Sequence, residues 1–135
     1  MTIPVCEVSI AESALELPER TSDPAAGAVV DFLGIVRARE DEREIAGIEY
    51  EAHREMAEHQ MRAVVENAAR DFDVKCIRIR HRIGFVPATE ASILVHVESG
   101  HRTAAFSASE WIMDEVKRNV PIWKRPIFKN SSALA

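Results

Sequence analysis

Residues 74–84, VKCIRIRHRIG, alternate in type almost without a break. A period of two places Ile77, Ile79, His81 and Ile83 on one face of an extended strand, and Arg78, Arg80 and Arg82 on the other. His81 shares its face with isoleucines, so it is expected as a hydrogen-bonded core histidine. The arginine stripe reads as a solvated outer face or a subunit contact. The chain carries a net charge of -5, and a nucleic-acid surface needs a broader basic field than one strand supplies.

The other elements follow from similar patterns. Residues 5–10 (VCEVSI) alternate and predict a first strand. In residues 11–25, Ala14, Leu15 and Leu17 could start a short helix. Pro18 disfavours the helical state at Leu17, and Thr21-Ser22-Asp23-Pro24 predicts a turn. Residues 27–37 (GAVVDFLGIVR) predict the strongest strand, with Gly34 marking a bulge or a close backbone approach. Residues 38–44 (AREDERE) read as a charged loop, and 45–52 as a returning strand; the short link predicts a hairpin between the two. In residues 54–72, Ala57, Met61, Val64, Ala68 and Phe72 recur at helical spacing, so this helix should pack on a sheet. Residues 85–90 predict a loop around Pro87. Residues 92–99 predict a strand with Ile93, Val95 and Val97 on one face and His96 on the other. A second helix is predicted over about 103–119, with Thr103 as N-cap and Pro121 as its stop. Residues 122–124 are then extended, and the tail from Ile127 is weakly patterned. Consecutive strands with short links favour antiparallel pairing, so the class is α+β, with one domain over 1–135.

Composition excludes several functions. No apolar run is long enough to span a bilayer. The first residues lack a basic region and carry Glu7, unlike a secretory signal. Cys6 and Cys76 form no C-x-x-C pair, and are expected as buried free thiols in a reducing, cytoplasmic setting. The five histidines contain no H-x-x-x-H, and no cysteine stands near one at ligand spacing, so no metal is expected. No glycine-rich phosphate cradle is present, and Ser99-Gly100-His101 is not a nucleophile elbow.

Chemistry is instead expected between Ser99 and Arg125. His101 and Arg102 fall where a strand hands over to a helix N-terminus, which suits an anion. Lys117 lies in the last helical turn and Lys124 just past Pro121. With Arg37, Arg118 and Arg125 these cations point to a small anionic ligand on an acidic chain. A lysine among other cations in a partly desolvated cleft can act as acid, base or nucleophile. The plainer alternative is that Lys117 only complements the helix dipole. Trp123, beside Lys124, could form a wall for a ring-shaped ligand.

At these residues the sequence resembles the catalytic, large subunit of molybdopterin synthase, the MoaE family. The motifs are Gly27-Ala28-Val29-Val30 with Gly34-x-Val36-Arg37, Ile48-Glu49-Tyr50-Glu51-Ala52 followed by Met56-Ala57, and His81-Arg82-Ile83-Gly84. They continue with Gly100-His101-Arg102, Ala105-Phe106, Met113-Asp114-x-x-Lys117 and Pro121-x-Trp123-Lys124-Arg125. The resemblance implies an α/β-hammerhead-type fold with antiparallel sheets and two main helices. It also implies a homodimer core within a heterotetramer that holds two small ubiquitin-like sulfur-carrier subunits (MoaD-like). The carrier's C-terminal Gly-Gly thiocarboxylate would enter a pocket on this chain and give two sulfurs, in successive steps, to cyclic pyranopterin monophosphate. The product is the molybdopterin dithiolene, and no metal or redox cofactor is implied. By the same resemblance Arg37, His101 and Arg102 bind the anionic part of the substrate, with Ile35 and Val36 lining that loop. Lys117 is the catalytic lysine beside the thiocarboxylate, and Lys124 a substrate contact and proton carrier next to Arg125. Three departures stand out: Pro126 replaces an acidic residue, the tail after Phe128 is short for a contribution across the dimer, and residues 38–44 lack a glycine. A non-catalytic carrier-docking module of the same fold is the alternative.

Overall fold

The computed structural model describes residues 3–129. The elements run β1 (Val5–Ala11), β2 (Ala28–Ile35), β3 (Arg39–Glu40), β4 (Arg43–Ala52), α1 (Arg54–Asp71), β5 (Val74–Arg82), β6 (Gly84–Pro87), β7 (Ala91–Ser99), α2 (Arg102–Asn119) and β8 (Ile122–Phe128). One sheet has the order β1-β5-β7-β2; the other is built on β4, which pairs with β3, β6 and β8. The class is α+β with two main helices. All pairings are antiparallel except β1 with β5, so the larger sheet is mixed.

Both helices cover the same face of the larger sheet. Ala57, Met61, Val65 and Ala68 of α1 and Ala105, Ala108 and Ile112 of α2 meet Ile77, Ile79, Val95 and Val97, all essentially without solvent contact. This is the pairing the two sequence periods dictate: a helical stripe laid on a strand's alternate residues. Helix α1 starts at His53, whose Nδ1 accepts from the Met56 backbone N–H. A smaller cluster of Val36, Ile45, Ile48 and Val86 fills the second sheet.

Several local expectations are revised. The run 27–37 and the strand 45–52 do not form a hairpin, because β2 pairs with β7 and lies in the other sheet. Residues 38–44 close on themselves instead, as a tight β3–β4 hairpin with Asp41 and Glu42 both at positive φ (50° and 64°). That is the twist a two-residue turn between strands demands, here met without glycine. Residues 84–87 pair with Gly47–Tyr50 as β6, rather than forming a loop throughout. The N-cap of α2 is His101, not Thr103. Strand β8 continues through Pro126 to Phe128, so the tail is patterned further than its sequence shows. Both cysteines are free, Cys76 buried and Cys6 half-buried. No helix among the described residues is long and apolar enough to cross a membrane.

Candidate active site

Pro121 ends α2 and turns the chain into β8, which pairs with β4 in the register Lys124 to Tyr50. That turn brings Lys117, in the last turn of the helix, and Lys124, on the strand, to the walls of one cavity of about 340 Å³. Tyr50, His81, Ser92, Ile93, Met113 and Val116 line it as well. His81 is the core histidine its spacing predicts, and it also borders the lysines, a role the spacing does not show. Its Nδ1 lies 2.8 Å from the Arg82 carbonyl oxygen, so Nδ1 carries the proton and donates. Burial pushes the His81 pKa down, and the Arg82 carbonyl only partly opposes this. The imidazole is therefore neutral at pH 7, with Tyr50 packed edge-on at 5.4 Å.

A second, larger groove of about 630 Å³ runs between β2 and α2 and reaches the same Lys117. Val30, Phe32, Phe106 and Met113 supply apolar walls, and Glu110 and Asp114 a polar side. Phe106 is 60% exposed and Phe32 40%. Lys117 thus joins a cavity of mixed polar and apolar lining to an open, largely apolar channel. An extended peptide in the channel could place its end at the lysine.

The other expected site residues are distributed differently. Arg37 follows the end of β2 that pairs with the start of β7, where Ser92 donates to the Gly34 carbonyl oxygen; this is the lysine end of the sheet. Its side chain is exposed and lies 3.7 Å from Glu40. Ile35 is 49% exposed, whereas Val36 is buried in the smaller core and lines neither the lysine cavity nor the channel. Arg125 and Trp123 face Glu49 and Glu51 across the β4–β8 pair, in a recess of about 140 Å³ that Lys124 only edges. Successive strand residues point to opposite faces, so Trp123 does not wall the lysine cavity and Arg125 does not enter it.

His101 and Arg102 stand at the far end. They open α2, 15 residues before Lys117, which is about 22 Å along the helix axis. From the start to the end of β7, which separates Arg37 from His101, the strand spans about 27 Å. Within one chain, therefore, His101 and Arg102 share no cavity with the lysines, and the single basic hole expected from sequence is split in two. The α2 N-terminus has no side-chain cap, and its His101 and Arg102 are exposed, as an anion site requires. The turn before it is held by the Ser99 hydroxyl, which donates to the His101 carbonyl oxygen. Gly100 packs so closely on Gly27 that a Cβ at residue 27 would sit 2.6 Å from the Gly100 carbonyl oxygen.

One cluster has no counterpart in the sequence spacing. On the sheet face away from the helices, the register sets Cys76 opposite Glu98 and Asp31 opposite His96. His96 bonds Asp31 through Nδ1 and Glu98 through Nε2, each at 2.7 Å. Glu98 also accepts from the Thr21 backbone N–H and hydroxyl. Burial alone would lower the His96 pKa; the bonds to Cys76, Glu98 and Asp31 outweigh it and push it up to about 9. Burial likewise acts to raise the Glu98 pKa, but bonds from Thr21 and His96 win, and it falls below the usual carboxylate range. Absence of an H-x-x-x-H therefore does not separate the ligand-type residues of this chain. The signal was the alternate pair His96-x-Glu98 on one strand face, but its partner Cys76 required the β5–β7 register. The arginine stripe on this face is not simply solvated: Arg78 pairs with Glu7, Arg80 donates to the Glu16 carbonyl oxygen and Arg82 pairs with Glu90.

A family model described as MoaE protein matches residues 7–119. The molybdopterin synthase catalytic subunit of Thermoplasma volcanium is 41% identical over 87% of this chain and 86% of its own length. The namesake subunit of Neosartorya fischeri is 44% identical over 82% of this chain; the chain spans only 58% of that longer relative. Molybdopterin synthase from Staphylococcus aureus superposes with a TM-score of 0.80 at 28% identity, covering 90% of this chain and 91% of that one.

Proposed function

We propose, from the premise that this chain belongs to the MoaE family, that it is the sulfur-transferring subunit of a molybdopterin synthase. The observation that carries the proposal is the meeting of the channel and the lysine cavity at Lys117. The apolar channel fits the extended C-terminus of a small ubiquitin-like carrier, whose Gly-Gly end has no side chains to obstruct entry. The cavity beyond fits a ring system, cyclic pyranopterin monophosphate.

The chemistry then has an assignable course. The carrier's thiocarboxylate sulfur forms a bond to a side-chain carbon of the pterin as a C–O bond at that carbon breaks and the oxygen leaves protonated, which links the two molecules through a thioester. Water adds to the acyl carbon, the acyl C–S bond breaks, the carrier leaves as a carboxylate, and the sulfur stays on the pterin. A second carrier repeats the transfer to give the dithiolene. Lys117 stabilises the oxyanion on the tetrahedral acyl centre. Lys124 contacts the pterin and carries protons, and neutral His81 can relay one through its unprotonated Nε2. Arg37 sits at the same end of the sheet, within the cation set that holds the anionic substrate.

His101 and Arg102 belong to the site only if a second copy supplies them. Strand β2 is an edge of its sheet and exposes Phe32, Leu33 and Ile35. Antiparallel pairing of β2 with a symmetry-related β2 would set the Ala28 end of one beside the Ile35 end of the other. Because Ala28 pairs with Ser99, the α2 N-terminus of one copy would then approach the lysines of the other. The homodimer and the heterotetramer with two carriers follow from this arrangement. The tail beyond Lys129 lies outside the described residues.

The test is reconstitution with thiocarboxylated carrier and pterin precursor, following dithiolene formation. Lys117→Ala is expected to remain folded and to lose activity by at least about 100-fold, the scale of removing one oxyanion or proton-transfer group. Full turnover by that variant removes the catalytic assignment. A carrier complex that binds no pterin would favour the docking module instead.

A further inference from the structure

We propose that Cys76, His96 and Glu98 form a binding site for one zinc-class divalent ion, on the sheet face opposite the lysine cavity. The three side chains come from adjacent strands, and one ligand atom from each lies within 4.8 Å of the others. All three are buried, at 0%, 0% and 1% exposure. The donor set is a thiol, an imidazole and a carboxylate. A soft sulfur with a nitrogen favours zinc or cobalt(II) over magnesium or calcium, which take oxygen. Three protein ligands also leave one tetrahedral position for solvent.

The surroundings match what such a site needs. Asp31 bonds His96 Nδ1 at 2.7 Å, which fixes the ring and turns Nε2 toward Glu98. A carboxylate behind a histidine is the usual orienting partner of a metal-bound imidazole. Thr21 grips Glu98 in the same way through two bonds. Arg78 Nε donates to the Cys76 sulfur at 3.4 Å, which sets a guanidinium beside the atom that would bind as thiolate. The Nε2–Oε2 distance of 2.7 Å must open by about 0.6 Å to reach tetrahedral ligand spacing, a small side-chain rotation. The occupied site would tie β5 and β7 to residues 12–27, the segment that crosses this face at Thr21.

The experiment is to refold the full chain with one equivalent of cobalt(II) or zinc, remove excess by gel filtration, and measure metal content and absorption. The proposal expects about one equivalent retained, with a thiolate-to-cobalt charge-transfer band and tetrahedral d–d bands. Binding should release protons, read from the dependence of binding enthalpy on buffer ionisation. Cys76→Ser and His96→Asn should each lower affinity at least about 100-fold. Cys6→Ser should keep full binding, because Cys6 packs on the helix side of the sheet. Wild-type protein that refolds but retains less than a tenth of an equivalent overturns the proposal. So does a Cys76→Ser protein that keeps the same cobalt spectrum.

Discussion

Mixed dimers test the split site most directly. Lys117 and Arg102 lie about 22 Å apart along one rigid helix, so no side-chain rotation brings them together in one chain. If both act on one substrate, they come from different copies. Lys117→Ala and Arg102→Ala each spoil both sites of a homodimer. A mixed dimer of the two variants has one site carrying both lesions and one carrying neither. Two affinity tags allow the mixed dimer to be isolated after co-expression. It should show about half the wild-type rate per dimer; a random 1:1 mixture should show about a quarter. For the parents, Lys117→Ala should be near background. Arg102→Ala should lose a charge-assisted phosphate contact of about 1.5–3 kcal/mol, roughly 10- to 150-fold in kcat/KM. Dithiolene formation by the reconstituted system is the assay. A mixed dimer no faster than its parents would place Lys117 and Arg102 in one chain's site and refute the two-copy arrangement. An Arg102→Ala protein with unchanged kcat/KM would remove Arg102 from the site and refute it as well.

Two further outcomes follow from local structure. Burial lowers the His81 pKa below its unfolded value of about 6.5, so between those two values the unfolded chain binds more protons than the folded one. Its contribution to stability is complete above about pH 6.5 and declines as pH falls through the lowered value. Melting curves should show that acid-side decline weakened in His81→Asn, and an identical pH profile would dismiss His81 as its source. Thr89 holds a φ of 76° in the turn where the Glu90 N–H bonds the Pro87 carbonyl oxygen, a position that suits glycine. Thr89→Gly relieves about 1–2 kcal/mol of strain against about 0.5 kcal/mol of added chain entropy. At about 0.28 kcal/mol per degree for a chain of this length, Tm should rise about 2–5 °C, and a fall in Tm would refute the strain.

What could be read from sequence was set by how local its cause is. Helices α1 and α2, and strands β5 and β7, obey their own periodicities, so their buried faces were legible before any partner was known. Lys117 and Lys124 were legible for a related reason: Pro121 forces a break, and two lysines seven residues apart across a helix-to-strand turn can converge. Pairing was less legible. Strand β2 looked like the hairpin partner of β4, yet it crosses to β7, because Asp41 and Glu42 accept left-handed backbone and let residues 38–44 turn back on their own short strand. The cluster at His96 depends on two registers at once, neither visible in spacing.

The same distinction applies to the candidate site. Arg102 and Lys117 are near in sequence, 15 residues apart. In a helix those 15 residues make a long rigid rod, and α2 puts its uncapped start and its lysine-bearing end at opposite ends of the sheet's length. A family site that needs both ends can be built from this rod only by laying two copies antiparallel. In the proposed dimer the exposed apolar edge of β2 is therefore more than a solubility cost: it is the surface along which a second rod would bring the missing end. Substitutions there, such as Leu33→Glu, would act on catalysis through assembly, because Leu33 is exposed on β2 and lines neither the lysine cavity nor the channel.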